Sequence, residues 1–98
     1  MIRVVLPQHL RTLSSTKDEL SIELSEEPTI SRLLDHLEGQ YPALKGTIRD
    51  QISGNRRPFV RFYAAGLDLS LEPLDTMLPV SVQIGKEPFI VLGALAGG

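Results

Sequence analysis

Phe89-Ile90-Val91-Leu92 is a continuous apolar run, and its counterpart near the other end of the chain is Ile2-Arg3-Val4-Val5-Leu6. Runs of this kind, short, β-branched and without a regular polar side, suit strands covered on both faces better than strands with a wet face. Both are therefore expected in the middle of a sheet. Pro7 closes the first run, and Gly93 follows the second. If the two strands lie side by side, the chain between them is long enough for them to run parallel.

Outward from these runs, Gln8 to Lys17 is mostly polar, with Ser14, Ser15 and Thr16 together, and reads as a connection. It leads into Glu19-Leu20-Ser21-Ile22-Glu23-Leu24-Ser25, where strict alternation predicts a half-exposed strand that forms a hairpin with the first. Thr29 is a good N-cap, and Ile30, Leu33, Leu34, Leu37 and Tyr41 then form one apolar stripe at helical spacing. Gly39 and Pro42 end that helix near Gln40, while Arg32, Asp35, His36 and Glu38 face water. Leu44, Ile48 and Ile52 step by four, which allows a short second helix or helical turn before Ser53-Gly54-Asn55. Pro58 precedes an aromatic, β-branched strand from Phe59 to Ala64, and Ala65-Gly66-Leu67-Asp68 is expected to turn into a short strand at Leu69-Ser70-Leu71. Pro73, Pro79, Gly85 and Pro88 punctuate the rest, which reads as a loop with a helical turn starting at Pro79. The order strand, strand, helix, linking segment, strand, short strand, strand predicts an α+β fold. It is a β-grasp (ubiquitin-like) arrangement, a mixed sheet of four to five strands packed on one main helix. Residues 1–92 form the expected domain and residues 93–98 a flexible C-terminal tail.

Composition narrows the functions available. At 98 residues one compact domain is expected, with no room for a second and little for a deep cleft. Hydrophobic residues at 42% and charged residues at 22% describe an ordinary globular chain. A net charge of −2 and 5% aromatics leave no basic footprint for nucleic acid or anionic lipid and few rings on which to stack bases. The apolar run before Pro7 is far shorter than a signal-peptide core or a membrane span, so a cytoplasmic protein is expected. The absence of cysteine removes disulfides, thiolate zinc sites and a cysteine nucleophile. His9 and His36 lack metal-ligand spacing, so no metal site is expected and both read as surface histidines. Asp68 and Asp75 read as turn residues, and Gly54 and Gly66 as turn glycines. Lys45, Arg49, Arg56, Arg57 and Arg61 form either a solvated edge or a basic docking face.

The chemistry-bearing feature is the end, Gly93-Ala94-Leu95-Ala96-Gly97-Gly98. On the plain view it is a frayed terminus. On the functional view, glycines without Cβ let an extended chain thread a narrow channel and bring its last carbonyl to a buried nucleotide. A terminal carboxylate is ionised at neutral pH and a poor electrophile, so its acyl chemistry needs activation, most naturally as an acyl-adenylate with ATP supplied through a partner. Replacing one carboxyl oxygen by sulfur then gives a thiocarboxylate nucleophile on a protein that needs no thiol of its own.

The tail Leu92-Gly93-Ala94-Leu95-Ala96-Gly97-Gly98 resembles the hydrophobic-Pro-Ala-hydrophobic-Ala-Gly-Gly ending of the MoaD/ThiS sulfur carriers. Thr29 to Leu44 is similar to that family's first helix with its aromatic-Pro-small-Leu ending, and Phe59 to Asp68 to its hairpin. Leu74-Asp75-Thr76, and Gly85 with Glu87, are similar to the segment before its last strand. Gly93 replaces a frequent proline, Ala65 a frequent asparagine, and Pro79 to Gln83 lengthen a loop. The resemblance implies a non-catalytic carrier whose Gly98 is adenylated by an E1-like adenylyltransferase and converted to a thiocarboxylate by a sulfurtransferase. The sulfur would then be delivered inside the large subunit of an acceptor synthase. Gly97, Ala96 and Leu95 would thread the partner, Phe59, Arg61, Tyr63 and Phe89 would dock it, and no cofactor would be bound by the chain itself. Molybdopterin synthesis is the pathway most often attached to this pattern, with thiamine or cysteine synthesis as rivals. A ubiquitin-like modifier or interaction module is the alternative from another class.

Overall fold

A computed structural model describes residues 1–16 and 18–93. Side-chain alternation in the two end strands orients the sheet. In β1 (Ile2–Val5) Ile2 and Val4 are buried, and in β5 (Phe89–Gly93) Phe89 and Val91 are buried. The strands run parallel, Val4 beside Phe89 and Val5 beside Ile90, at the centre of a five-stranded sheet of order β2-β1-β5-β3-β4. The central position is as expected, but cover on both faces is not. Val5 and Ile90 are half-buried and Leu92 is exposed, so the apolar runs are continuous because the sheet's outer face is apolar here, not because a second layer covers it.

β2 (Leu20–Ile22) pairs antiparallel with β1, Ile22 opposite Ile2 and Leu20 opposite Val4. The connection before it is not a plain loop but a seven-residue helix, α1 (Gln8–Ser14). Pro7, with φ −67°, stands at its N-cap, and Ser15 in the left-handed region ends it by donating its N–H to the Thr12 carbonyl at 3.2 Å. Within α1 only Leu10 is buried, so no apolar stripe marks the helix in the sequence.

α2 (Ile30–Gln40) lays Ile30, Leu33, Leu34 and Leu37 into the core as the spacing predicts. Its first turn has every N–H placed, which a buried helix end requires. Ile30 donates to the Thr76 carbonyl (3.0 Å), Ser31 to the Leu74 carbonyl (2.7 Å), Arg32 to Thr29 Oγ1 (3.1 Å) and Leu33 to the Thr29 carbonyl (3.0 Å). A 3₁₀ turn, Pro42–Leu44, follows. Of the short second helix or helical turn allowed here only turns form: Leu44 and Ile48 reach the core, but Ile52 is 98% exposed.

β3 (Val60–Ala64) and β4 (Leu67–Asp68) make a hairpin whose turn is just Ala65-Gly66, both at positive φ (52° and 75°), the pattern of a tight I′-type connection. The short strand therefore begins two residues earlier than expected. Leu69 and Ser70 lie beyond it, buried, with Ser70 Oγ accepting the Phe62 N–H at 2.9 Å. α3 (Val80–Gln83) starts after Pro79, as expected.

Candidate functional site

Val60 lies opposite Gly93, so β3 begins where β5 ends. Gly93 therefore lies between two segments, the chain entering β3 and the chain leaving β1. Arg56 fixes the first of these. Its Nε donates to the Ser70 carbonyl at 2.7 Å, and its Nη1 to the carbonyls of Val60 (2.6 Å) and Arg57 (3.1 Å). Held this way, the segment presents Phe59 outward, 66% exposed. On the other side, Pro7 and His9 close against Gly93, where an added Cβ would meet His9 Cε1 at 2.8 Å and Pro7 Cγ at 3.7 Å. Between the segments lies an open cleft of about 300 Å³ lined by His9, Thr47, Arg57, Pro58, Phe59, Val60 and Gly93.

The outer face of the sheet meets the same end of β5. Tyr63 pairs with Ile90 and Arg61 with Leu92, and Val5 stands beside Ile90 on the other side. This gives an apolar strip, Val5, Ile90 and Leu92, bordered by half-buried Tyr63 and exposed Arg61. Arg61 Nη1 lies 3.9 Å from Asp68 Oδ2. The Asp68 carboxyl is held below its ordinary value, chiefly by hydrogen bonds from the Ser70 hydroxyl and amide, with Arg61 adding to them. Asp68 is thus the turn residue expected of it, accepting the Ser70 N–H at 2.9 Å.

Of the expected docking residues, Phe59, Arg61 and Tyr63 reach the surface and Phe89 does not. Phe89 is fully buried with its ring centroid 5.3 Å from that of Phe62, so it is a core residue. Nor do the basic residues form one face. Arg49 is turned onto α2, its Nε and Nη2 donating to Glu38 (3.0 and 2.9 Å) and its Nη2 to Asp35 (2.8 Å). Arg56 is absorbed by backbone carbonyls, which leaves Arg57 and Arg61 as the exposed members beside the site. His36 sits on the surface and bonds Glu26 at 2.9 Å. His9 is exposed too, but its position over Gly93 had no mark in the sequence, because the helix that carries it shows no stripe. Leu95, Ala96, Gly97 and Gly98 lie outside the described residues. Among the described residues no three His, Asp or Glu side chains gather as metal ligands, and no helix is long and apolar enough to cross a membrane.

No family model matches the chain. No curated protein matches it by sequence. Solved structures do. A chain of the Amycolatopsis orientalis BexX/CysO complex aligns over 100% of both chains at 18% identity, with a TM-score of 0.78. CysO of Mycobacterium tuberculosis aligns over 97% of this chain and 100% of its own at 22% identity and a TM-score of 0.76. The small archaeal modifier protein 1 of Methanosarcina acetivorans aligns over 98% and 94% at 26% identity and a TM-score of 0.70. The fold is accordingly the ubiquitin-like β-grasp.

Proposed function

We propose that the protein is a ubiquitin-like sulfur carrier and that the α-carboxyl of Gly98 is its reactive group. The observation that supports this reading is the end of the central strand β5 at Gly93, among exposed Phe59, Arg61 and Leu92, in a chain whose sequence then runs Ala94-Leu95-Ala96-Gly97-Gly98. A rigid sheet thereby offers a partner both a surface to hold and a slender end to draw in.

In an E1-like adenylyltransferase the Gly98 carboxylate attacks the α-phosphorus of ATP, forming an acyl-adenylate and releasing pyrophosphate. Hydrosulfide-level sulfur from a sulfurtransferase then displaces AMP, which leaves with one of the original carboxyl oxygens; a proton is released and nothing is oxidised or reduced. The product is a thiocarboxylate, and the acceptor enzyme takes its sulfur. ATP belongs to the partner, and the chain contributes the carboxyl group, the docking face and no catalytic side chain. Molybdopterin synthesis is the destination carried over from the family resemblance, with thiamine and cysteine synthesis as the alternatives. The outer-face strip of Val5, Ile90, Leu92 and Tyr63 suits docking to the acceptor, since apolar and aromatic groups enrich interface centres.

A second reading is favoured by the name of the Methanosarcina acetivorans neighbour, small archaeal modifier protein 1. In it the activated Gly98 is passed to an amine and forms an isopeptide bond. One experiment separates the two: intact mass and fragmentation of untagged protein from its own cells, supplied with sulfur and ATP and handled quickly. One oxygen replaced by sulfur at Gly98 is the expected result. Unmodified protein together with the tryptic remnant 87–98 of this chain on lysines of other proteins would replace the carrier by the modifier.

A further inference from the structure

The cleft at the exit of β5 has a composition unlike that of the chain as a whole. Acidic residues outnumber basic ones, 12 to 10, yet the lining contains Arg57 and His9 and no carboxylate. Its other walls are Phe59, Pro58 and Val60, with Thr47 at one side and the bare backbone of Gly93 as part of the lining. A volume of about 300 Å³ matches the bottom of the range for small-molecule sites, roughly 300–1,000 Å³, and the cleft is open, so it suits one side chain better than a whole cofactor. Phe59 leaves two thirds of its surface in water, which is costly for a phenyl ring unless a partner covers it. Arg57 Nη1 donates to the Gly46 carbonyl at 3.1 Å, which steadies the guanidinium at the surface.

We propose that this cleft receives a segment of the tail-handling partner protein in which an apolar or aromatic side chain stands next to a carboxylate. The apolar group covers Phe59 and Pro58, and the carboxylate meets Arg57 and the His9 ring. The inference rests on the reading that a partner draws in the tail. It adds a contact that fixes direction: five extended residues reach at most about 18 Å from Gly93 to Gly98, so a partner seated at the exit sets where the carboxyl group arrives. It also gives a role to the missing Cβ of Gly93, which leaves His9 free to lie against the exit.

Backbone-amide NMR titration of the full chain with blocked dipeptides tests this without any sulfur chemistry. Ac-Asp-Phe-NH₂ is expected to shift the amides of His9, Thr47, Val60 and Gly93, binding about fivefold more tightly than Ac-Lys-Phe-NH₂, a preference of the size one exposed charge pair supplies. Arg57→Glu should invert that order, and Phe59→Ala should abolish the shifts while leaving the rest of the spectrum in place. Equal binding of Ac-Asp-Phe-NH₂, Ac-Lys-Phe-NH₂ and Ac-Asp-Ala-NH₂ would overturn the proposal. So would shifts confined to Val5, Ile90 and Leu92, or inorganic phosphate reproducing the whole response. A positive titration with no sulfur on Gly98 leaves the cleft standing and removes the carrier, and the converse removes the cleft alone.

Discussion

Phe59 stands beside the Gly93 end of β5 and Phe89 begins that strand, and the roles of the two phenylalanines are opposite. Phe89 is fully buried against Phe62, while Phe59 is 66% exposed. Phe89→Ala should cost about 3–5 kcal/mol, a large part of the roughly 5–15 kcal/mol that holds a domain together. Phe59→Ala should stay within about 0.5 kcal/mol of the parent. Urea unfolding of the two variants checks this, and equal losses would mean that Phe59 is not the surface residue described. Binding lost in Phe89→Ala would consequently report unfolding. The sequence distinguished the two only in part. Phe59, Arg61 and Tyr63 share the parity opposite to Val60 and Phe62, so assigning the latter pair to the core turns the former three outward. Phe89 is followed by Ile90, Val91 and Leu92, all apolar, and a period of two has nothing to mark in such a run.

Elements with an unbroken pattern were legible and those pinned by single polar contacts were not. α2 has four core side chains and a capping threonine at the expected places. The segment from Lys45 to Arg57 has little to read, since Ile48 is its one fully buried apolar side chain and Ile52 points to water. What holds it against α2 is Arg49, whose side chain is 12% exposed and bonded to Glu38 and Asp35. Burial alone would weaken that charge, but the two carboxylates more than offset it and raise the guanidinium pKa above its ordinary value. Arg49→Ala leaves the Glu38 carboxylate, 15% exposed, without these donors. A loss of about 2 kcal/mol is expected, which lowers Tm by roughly 10 °C in a domain of this size. Arg49→Lys should recover only part of it, because a lysine ammonium cannot reproduce the fork onto Glu38. A thermal melt of Arg49→Ala within 2 °C of the parent would show, on the same scale of about 4–8 °C per kcal/mol, that the segment is held by other means.

For the molecule as a whole, the two strands most legible in the sequence are also the two whose contact is hardest to make. β1 and β5 pair in parallel with Val4 beside Phe89, across nearly the whole chain, whereas β3 and β4 meet through the two-residue turn at Ala65-Gly66. Closing the long loop costs more chain entropy than closing the hairpin, though the cost rises only logarithmically with length. The long-range pair gains nothing until α2 and β3 offer β5 a surface on which to settle. Folding should therefore build around α2 and the β3–β4 hairpin, with the parallel pair completed after the rate-limiting step. Val91→Ala, a fully buried change in β5, should then act mainly on the unfolding rate, with φ below about 0.3. Leu34→Ala in α2 should slow folding, with φ above about 0.5. Stopped-flow chevrons of both variants decide the matter, and a Val91→Ala variant that folds slowly while unfolding at the parent rate would place the meeting of the two ends in the nucleus. If the order holds, β5 is the last strand to settle, and Gly93 at its end is fixed only when the rest of the sheet is in place.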